Sequence, residues 1–238
     1  MPAPGARNSS PGRLPGDDQE PVSIRAAGDR GLLVEIPDLD TVLAVAGSLR
    51  ALGLPEVEDI VPAARTVLIR VRPGTSLGQL RGEVTAIVHA PGDSREDASI
   101  QAAVVLPVHY DGPDLEEVAA SCGMTGLELI RAHTGSRYRA AFLGFAPGFC
   151  YLTGGNSRLL GIQRRRTSRT RVPAGAVALA GEFSAVYPRE SPGGWQLIGR
   201  TDVSVWNSEA AQPALIAPGR QVRFVDADDN PAIPGSRQ

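Results

Sequence analysis

Apolar residues recur along this chain first at spacings of two and three to four, then, past residue 139, in short runs broken by glycine and proline. Runs at 22–26 and 32–36 read as two strands flanking the turn Gly28-Asp29-Arg30-Gly31. Leu39, Val42, Leu43, Ala46, Leu49 and Leu52 keep helical spacing and stop before Gly53, which predicts a helix over Leu39–Leu52. Segments 57–61 and 66–71 read as strands around Pro62-Ala63-Ala64, with Val67, Ile69 and Val71 on one face of the second. Ser76 with Gln79 predicts a capping box ahead of a helix over 77–88. The order ββαββα predicts an α+β domain over 22–92, a small ferredoxin-like sandwich with helices on one face of a mostly antiparallel sheet. Residues 1–21, rich in proline, glycine, serine and charge, read as a disordered tail.

Residues 90–99 (APGDSREDAS) are polar and turn-rich and read as a linker. The second unit, over 102–225, opens on an apolar strand at 102–110. Two helix starts follow: Asp114 with Glu117 ahead of 115–122, and Thr125 with Glu128 ahead of 126–133. Apolar runs at 140–145, 176–180, 185–187, 196–198 and 221–225 then alternate with Gly/Pro turns, which predicts an all-β barrel or sandwich. Residues 226–238 read as a flexible tail.

Composition narrows the chemistry. Aromatics are 5% of the chain, so Leu, Val, Ile and Ala must fill the cores, and a net charge of −2 gives no bulk attraction to nucleic acid or an anionic membrane. All 24 basic residues are arginine. Without lysine there is no Walker A phosphate loop, no lysine Schiff base and no biotinyl-lysine. Cys122 and Cys150 make no CxxC pattern, and His89, His109 and His133 stand far apart, so no metal site is expected. No segment reads as a signal peptide or reaches the roughly 18 apolar residues of a membrane span, and the expected location is the cytoplasm.

Three stretches carry candidate chemistry. In LGFAPGFCYLTGG (143–155), Gly144, Pro147 and Gly148 make a tight loop, and Phe145, Phe149 and Tyr151 are placed to wall a pocket or to fill a barrel corner. In RLLGIQRRRTSRTR (158–171), six arginines interleave with hydroxyl residues; guanidinium forks suit a carboxylate or phosphate, and a solvated basic loop is the bland alternative. Arg169 and Arg171 adjoin the turn Val172-Pro173-Ala174-Gly175, which holds them in one geometry. In GEFSAVYPRESPGGWQLIGR (181–200), Glu182 and Glu190 are candidate acids or bases, and Ser184, Tyr187 and Ser191 offer hydroxyls. Gly193 and Gly194 offer backbone N–H groups to an oxyanion. Cys150 with His133 is a weaker candidate nucleophile pair.

Taken together, GFAPGFCYLTGG (144–155), RTRVPAGAVALAGE (169–182) and YPRESPGGWQLIGRT (187–201) resemble the family of bacterial B-type 5-oxoprolinase subunits, also called the kinase A inhibitor or allophanate hydrolase subunit 1 family. LPVHYDGPDLEEVAASCGMTGLELIRAHT (106–134) fits the same pattern. The resemblance implies an N-terminal α/β domain and a C-terminal cyclophilin-like barrel. It implies a C-type partner subunit and an A-type subunit, and a complex that hydrolyses 5-oxoproline to glutamate at the expense of ATP. Other branches imply inhibition of a histidine kinase, or one half of a carboxyltransferase.

On that reading, Arg169, Arg171 and Arg200 meet the phosphate and carboxylate of a small anionic substrate, and the Gly193-Gly194 backbone meets the oxyanion. Glu182 or His133 handles protons. Phe145, Pro147, Gly148, Tyr151, Pro173, Gly175, Tyr187 and Ser191 line the site, and ATP sits at a subunit interface or in a partner. The chain departs from the family pattern at Cys150, Gln163, Ser168, Phe183 and Ala185.

Overall fold

The computed structural model describes residues 22–90 and 102–229. The tail expected over 1–21, residues 91–101 of the linker region and residues 230–238 lie outside the described residues.

In the N-terminal unit, β1 (Ser23–Ala26), β2 (Gly31–Glu35), β3 (Val57–Pro62) and β4 (Thr66–Val71) form one sheet in the order β1-β2-β4-β3, each pair antiparallel. Strand alternation sets the buried face. Leu32 and Val34 on β2 and Val67, Ile69 and Val71 on β4 join one core with Val42, Val45, Ala46 and Leu49 of α1 (Leu39–Leu52) and Leu80, Val84 and Val88 of α2 (Leu77–His89). Both helices therefore cover one face of the sheet. Asp38 caps α1 by accepting from Thr41 N–H, whereas Ser76 makes no side-chain bond to α2. The box expected from Ser76 and Gln79 is not formed, and α2 is held by its apolar stripe instead.

The second unit contains β5 (Val104–Val108), α3 (Leu115–Ser121), α4 (Gly126–Thr134), β6 (Tyr138–Leu143), β7 (Cys150–Thr153), β8 (Arg169–Val172), β9 (Ala176–Ala180), β10 (Phe183–Val186), β11 (Ser191–Gly193), β12 (Gln196–Arg200) and β13 (Gln221–Asp226). Seven of these strands form one sheet in the order β12-β9-β10-β7-β6-β13-β5. Its two ends meet. His109, just past β5, exchanges backbone hydrogen bonds of 2.8 and 2.9 Å with Arg200 at the end of β12, and the sheet becomes a nearly closed barrel. β8 and β11 pair with each other as a separate ribbon. Asp226 pairs with Val108 and Ala227 N–H bonds Val108 O, so the barrel runs past residue 225 and corrects the tail boundary expected there.

The barrel is filled by Leu106, Val108, Leu152, Val177, Leu179, Val186, Ile198, Val222 and Phe224, among others. The all-apolar β9 is buried on both sides. Val177 and Leu179 point inward, while Ala176, Ala178 and Ala180 point outward under Phe149, Tyr187 and Trp195. Methyl-sized side chains there let the aromatic layer lie against the strand at close packing. Beside that layer the two units meet, where Leu39 of α1 packs on Ala141 and Phe142 of β6, bordered by Ala63, Ala64, Tyr151 and Phe183. No helix among the described residues is long and apolar enough to cross a membrane.

Candidate functional site

The barrel interior is an apolar core, and it removes one expected catalytic residue. His133 on α4 is 0% exposed, stacks on Phe224 with ring centroids 4.3 Å apart, and has both nitrogens engaged. Nδ1 lies 2.7 Å from the Tyr110 hydroxyl, and Nε2 lies 3.1 Å from Ser184 Oγ. Burial pushes the imidazole down to about 3, so it stays neutral and cannot reach a ligand. His133 is a satisfied core residue. Cys150 faces the same core, and burial pushes its thiol up to about 12, which leaves it no nucleophilic thiolate.

The expected pocket residues assemble instead on the outside of the barrel. Phe149 meets Tyr187 and Trp195 edge to face at 5.2 and 5.5 Å, and Tyr151 joins them at 5.1 Å from Phe149 and 5.5 Å from Trp195. Arg164 lies over the Trp195 ring, 5.9 Å from its centroid. Phe145 stands at the open edge of this wall, 60% exposed, with its ring edge-on to Phe149 and Tyr187. Its backbone is unusual. Phe145 is the one non-glycine residue with positive φ among the described residues (65°), and Ala146 N–H bonds Gly144 O at 2.7 Å across it, a γ-turn. Gly148 fixes the far side of the loop. At φ 81° it packs so tightly on Trp206 that a Cβ would collide with the indole.

The arginine segment reaches this wall from the other side. Arg165 N–H bonds Gly194 O at 2.8 Å, and Arg169 on β8 pairs in register with Gly193 on β11. Gly193 has no room for a Cβ because the Tyr187 hydroxyl, which accepts from Trp195 N–H, occupies that space. Arg165 Nη1 and Arg169 Nη2 both donate to Oδ1 of Asp114, at 2.8 and 2.7 Å, and Leu197 N–H donates to Oδ2 at 2.7 Å. Asp114 is therefore not the helix cap expected from its spacing to Glu117, and it makes no side-chain bond to α3. The second box, Thr125 with Glu128, does form. Burial alone would raise the Asp114 carboxyl. Hydrogen bonds from Arg169 and Leu197, with the charges of Arg169 and Arg165, outweigh it and hold the carboxyl below the usual carboxylate range.

The remaining expected residues do not converge here. Glu182 is exposed in the β9–β10 turn, the opposite end of β10 from Tyr187 and some 16 Å away at roughly 3.3 Å per strand residue. Arg171 lies on the ribbon with its side chain 76% exposed, paired bidentately to Glu190 at 3.0 and 2.8 Å. Arg200 is taken up at the barrel seam by Asp111 and Asp202. Glu182, Arg171 and Arg200 are thus corrected from the site to the surface around it. Pro147, Pro173, Gly175 and Ser191 lie on the surrounding turns and ribbon. An exposed ion pair contributes about 0–1 kcal/mol, so Arg171→Ala is expected to shift the urea midpoint little and to leave ligand binding unchanged, measured by denaturation and titration of the same sample. Among the described residues no group of three or more His, Cys, Asp or Glu side chains forms a metal site.

Comparison with known proteins agrees with this architecture. Residues 22–216 match the carboxyltransferase domain, subdomain C and D, which sets the class. The chain is 36% identical over 182 residues to the B-type 5-oxoprolinase subunit of Escherichia coli O157:H7, covering 74% of this chain and 81% of that one. The crystal structure of TTHA0988 superposes with a TM-score of 0.67 at 33% identity, over 86% of this chain. That of the K. lactis urea amidolyase does so at 0.64 and 19%, a likeness of fold alone. The chain spans 41% of TTHA0988 and 15% of the urea amidolyase. It belongs to the family of B-type 5-oxoprolinase subunits.

Proposed function

We propose that this chain is one subunit of an ATP-dependent lactam hydrolase that converts 5-oxo-L-proline, ATP and water to L-glutamate, acting with a C-type partner and an A-type subunit. The observation that carries this reading is the convergence of Arg165 and Arg169 on the Gly193-Gly194 backbone beside the Tyr187–Trp195 wall. Opening a stable five-membered amide needs cations for the carboxylate and phosphate and donors for the oxyanion. The guanidiniums of Arg164, Arg165 and Arg169 fit a phosphate-bearing nucleotide without any lysine. When bound, ATP supplies the phosphoryl group that activates the amide oxygen. Arg165 and Arg169 orient the anionic group, Phe145 and Tyr151 exclude water, and Gly193 and Gly194 offer N–H groups. With His133 buried and Glu182 displaced, proton transfer falls to the partner subunit, which completes the site.

The same reading takes the barrel as cyclophilin-like. It takes the N-terminal unit as a ferredoxin-like sheet whose last strand has moved to the front of the chain, because α1 links β2 to β3 with β4 between them. A cytoplasmic location goes with the proposed metabolic role.

Co-purification with a C-type partner, followed by lactam-dependent ATP hydrolysis by the mixture, tests the proposal. Hydrolysis is expected from the wild-type complex and is lost in Arg169→Met. A stable complex without lactam-dependent turnover, together with tight one-to-one binding to a histidine-kinase dimerisation helix, would replace it with the inhibitor reading.

A further inference from the structure

Asp114 occupies an unexpected place for a residue at the start of a helix. Its backbone sits at φ −106° and ψ 0°, away from the extended geometry of an N-cap, and its side chain has withdrawn from α3. The residue is 2% exposed, and its three side-chain donors come from positions 51, 55 and 83 residues further along the chain. One carboxylate thus ties together the arginine segment, the β8–β11 ribbon and β12.

Charge does not balance in this knot. Two guanidiniums and one carboxylate leave one positive charge, and among the described residues neither Arg165 nor Arg169 forms an ion pair with any other acid. Arg165 Nε and Arg169 Nη1 are buried with no acceptor in the fold, so each guanidinium keeps an unmet donor turned inward at the knot. Long arginine side chains lose rotamer freedom when fixed. A carboxylate that fixes them beforehand removes that cost from ligand binding.

We propose that Asp114 is a positioning residue: its buried carboxylate holds Arg165 and Arg169 side by side at Gly193-Gly194, so that the pair meets the ligand's anionic group as one rigid fork. This rests on the reading of the site as one for a small anion. It is separable from the identity of that anion.

The sign of a charge change separates positioning from simple electrostatics. Asp114→Asn makes the site more positive, so a residue that only tempered the local field would bind anions more tightly when neutralised. A positioning residue does the reverse. Inorganic phosphate and 5-oxo-L-proline are titrated calorimetrically into the full chain, with Arg171→Ala as the control. The wild type is expected to take up at least one probe, and Asp114→Asn to bind it at least five-fold more weakly. Asp114→Glu, which keeps the charge but moves its oxygens by a methylene, is also expected to bind more weakly and serves if the Asn variant does not fold.

Equal or tighter binding by Asp114→Asn, or by Asp114→Glu should the Asn variant not fold, overturns the proposal. Absence of binding of either probe to the wild type overturns both the proposal and the anion site. Binding that depends on Asp114, in a complex without lactam-dependent ATP hydrolysis, removes only the lactam and leaves the positioning role in place.

Discussion

Acidifying the protein from pH 6.5 to pH 4 is expected to remove about 3 kcal/mol of folding free energy through His133 alone. The folded imidazole, held between Tyr110 and Ser184 and desolvated against Phe224, titrates at about 3 instead of 6.5. Between those values the unfolded chain binds a proton that the folded chain refuses, so stability rises with pH at about 1.4 kcal/mol per unit. The contribution is fully present above pH 6.5 and is lost as pH falls towards 3. Asp114 adds a second loss at lower pH, because its depressed carboxyl must also protonate. Urea denaturation from pH 7 to pH 4 measures the slope. His133→Gln should be less stable at neutral pH, and its curve should be flatter by about one proton. Parallel curves for the two proteins would mean that the imidazole is not sealed from water.

Phe145→Gly is expected to raise stability by about 1 kcal/mol while weakening ligand binding at least five-fold, a pair of effects with opposite sign. A non-glycine residue at φ 65° costs about 1–2 kcal/mol, and glycine removes most of that cost at some expense in chain entropy. The ring is 60% exposed, so its loss gives up little buried area. Strain that the fold retains at an exposed aromatic, clamped by Gly148 against Trp206, points to use of the ring in binding. Phe145→Ala keeps the strain and loses the ring, so it should bind weakly without the gain in stability. Thermal unfolding and ligand titration on matched samples separate the three proteins. A glycine variant that melts earlier than wild type would remove the strain argument.

Local signals in the sequence located what local forces determine. The helix over Leu39–Leu52, the strand Thr66–Val71, the Thr125–Glu128 box and the apolar run Ala176–Ala180 all appear where spacing places them. β7, β8 and β11 were not legible, because strands of three or four residues are too short to show a period. The aromatic loop, Arg169 and the glycine pair stand out as three separate stretches in the sequence, and only the fold brings them side by side. Asp114 was misread for a physical reason. An aspartate before a helix is the expected cap, and nothing nearby in sequence shows that donors 51 to 83 residues away will claim it. His133 shows the converse: a lone histidine looks chemical until Phe224 and Ser184 close over it.

The position of β13 also bears on how the protein is made. Gln221–Asp226 slots between β6 and β5, parallel to the latter, although β5 and β6 are synthesised more than seventy residues earlier. Until that segment leaves the ribosome the barrel wall has an open slit, with two strand edges and the Leu106–Leu152 interior facing solvent. Loop closure over such a span is slow and leaves sticky surface exposed in the meantime. Nascent chains arrested before residue 221 should therefore engage chaperones and resist compaction, and recombinant yield should respond more steeply to growth temperature than to changes on the arginine ribbon.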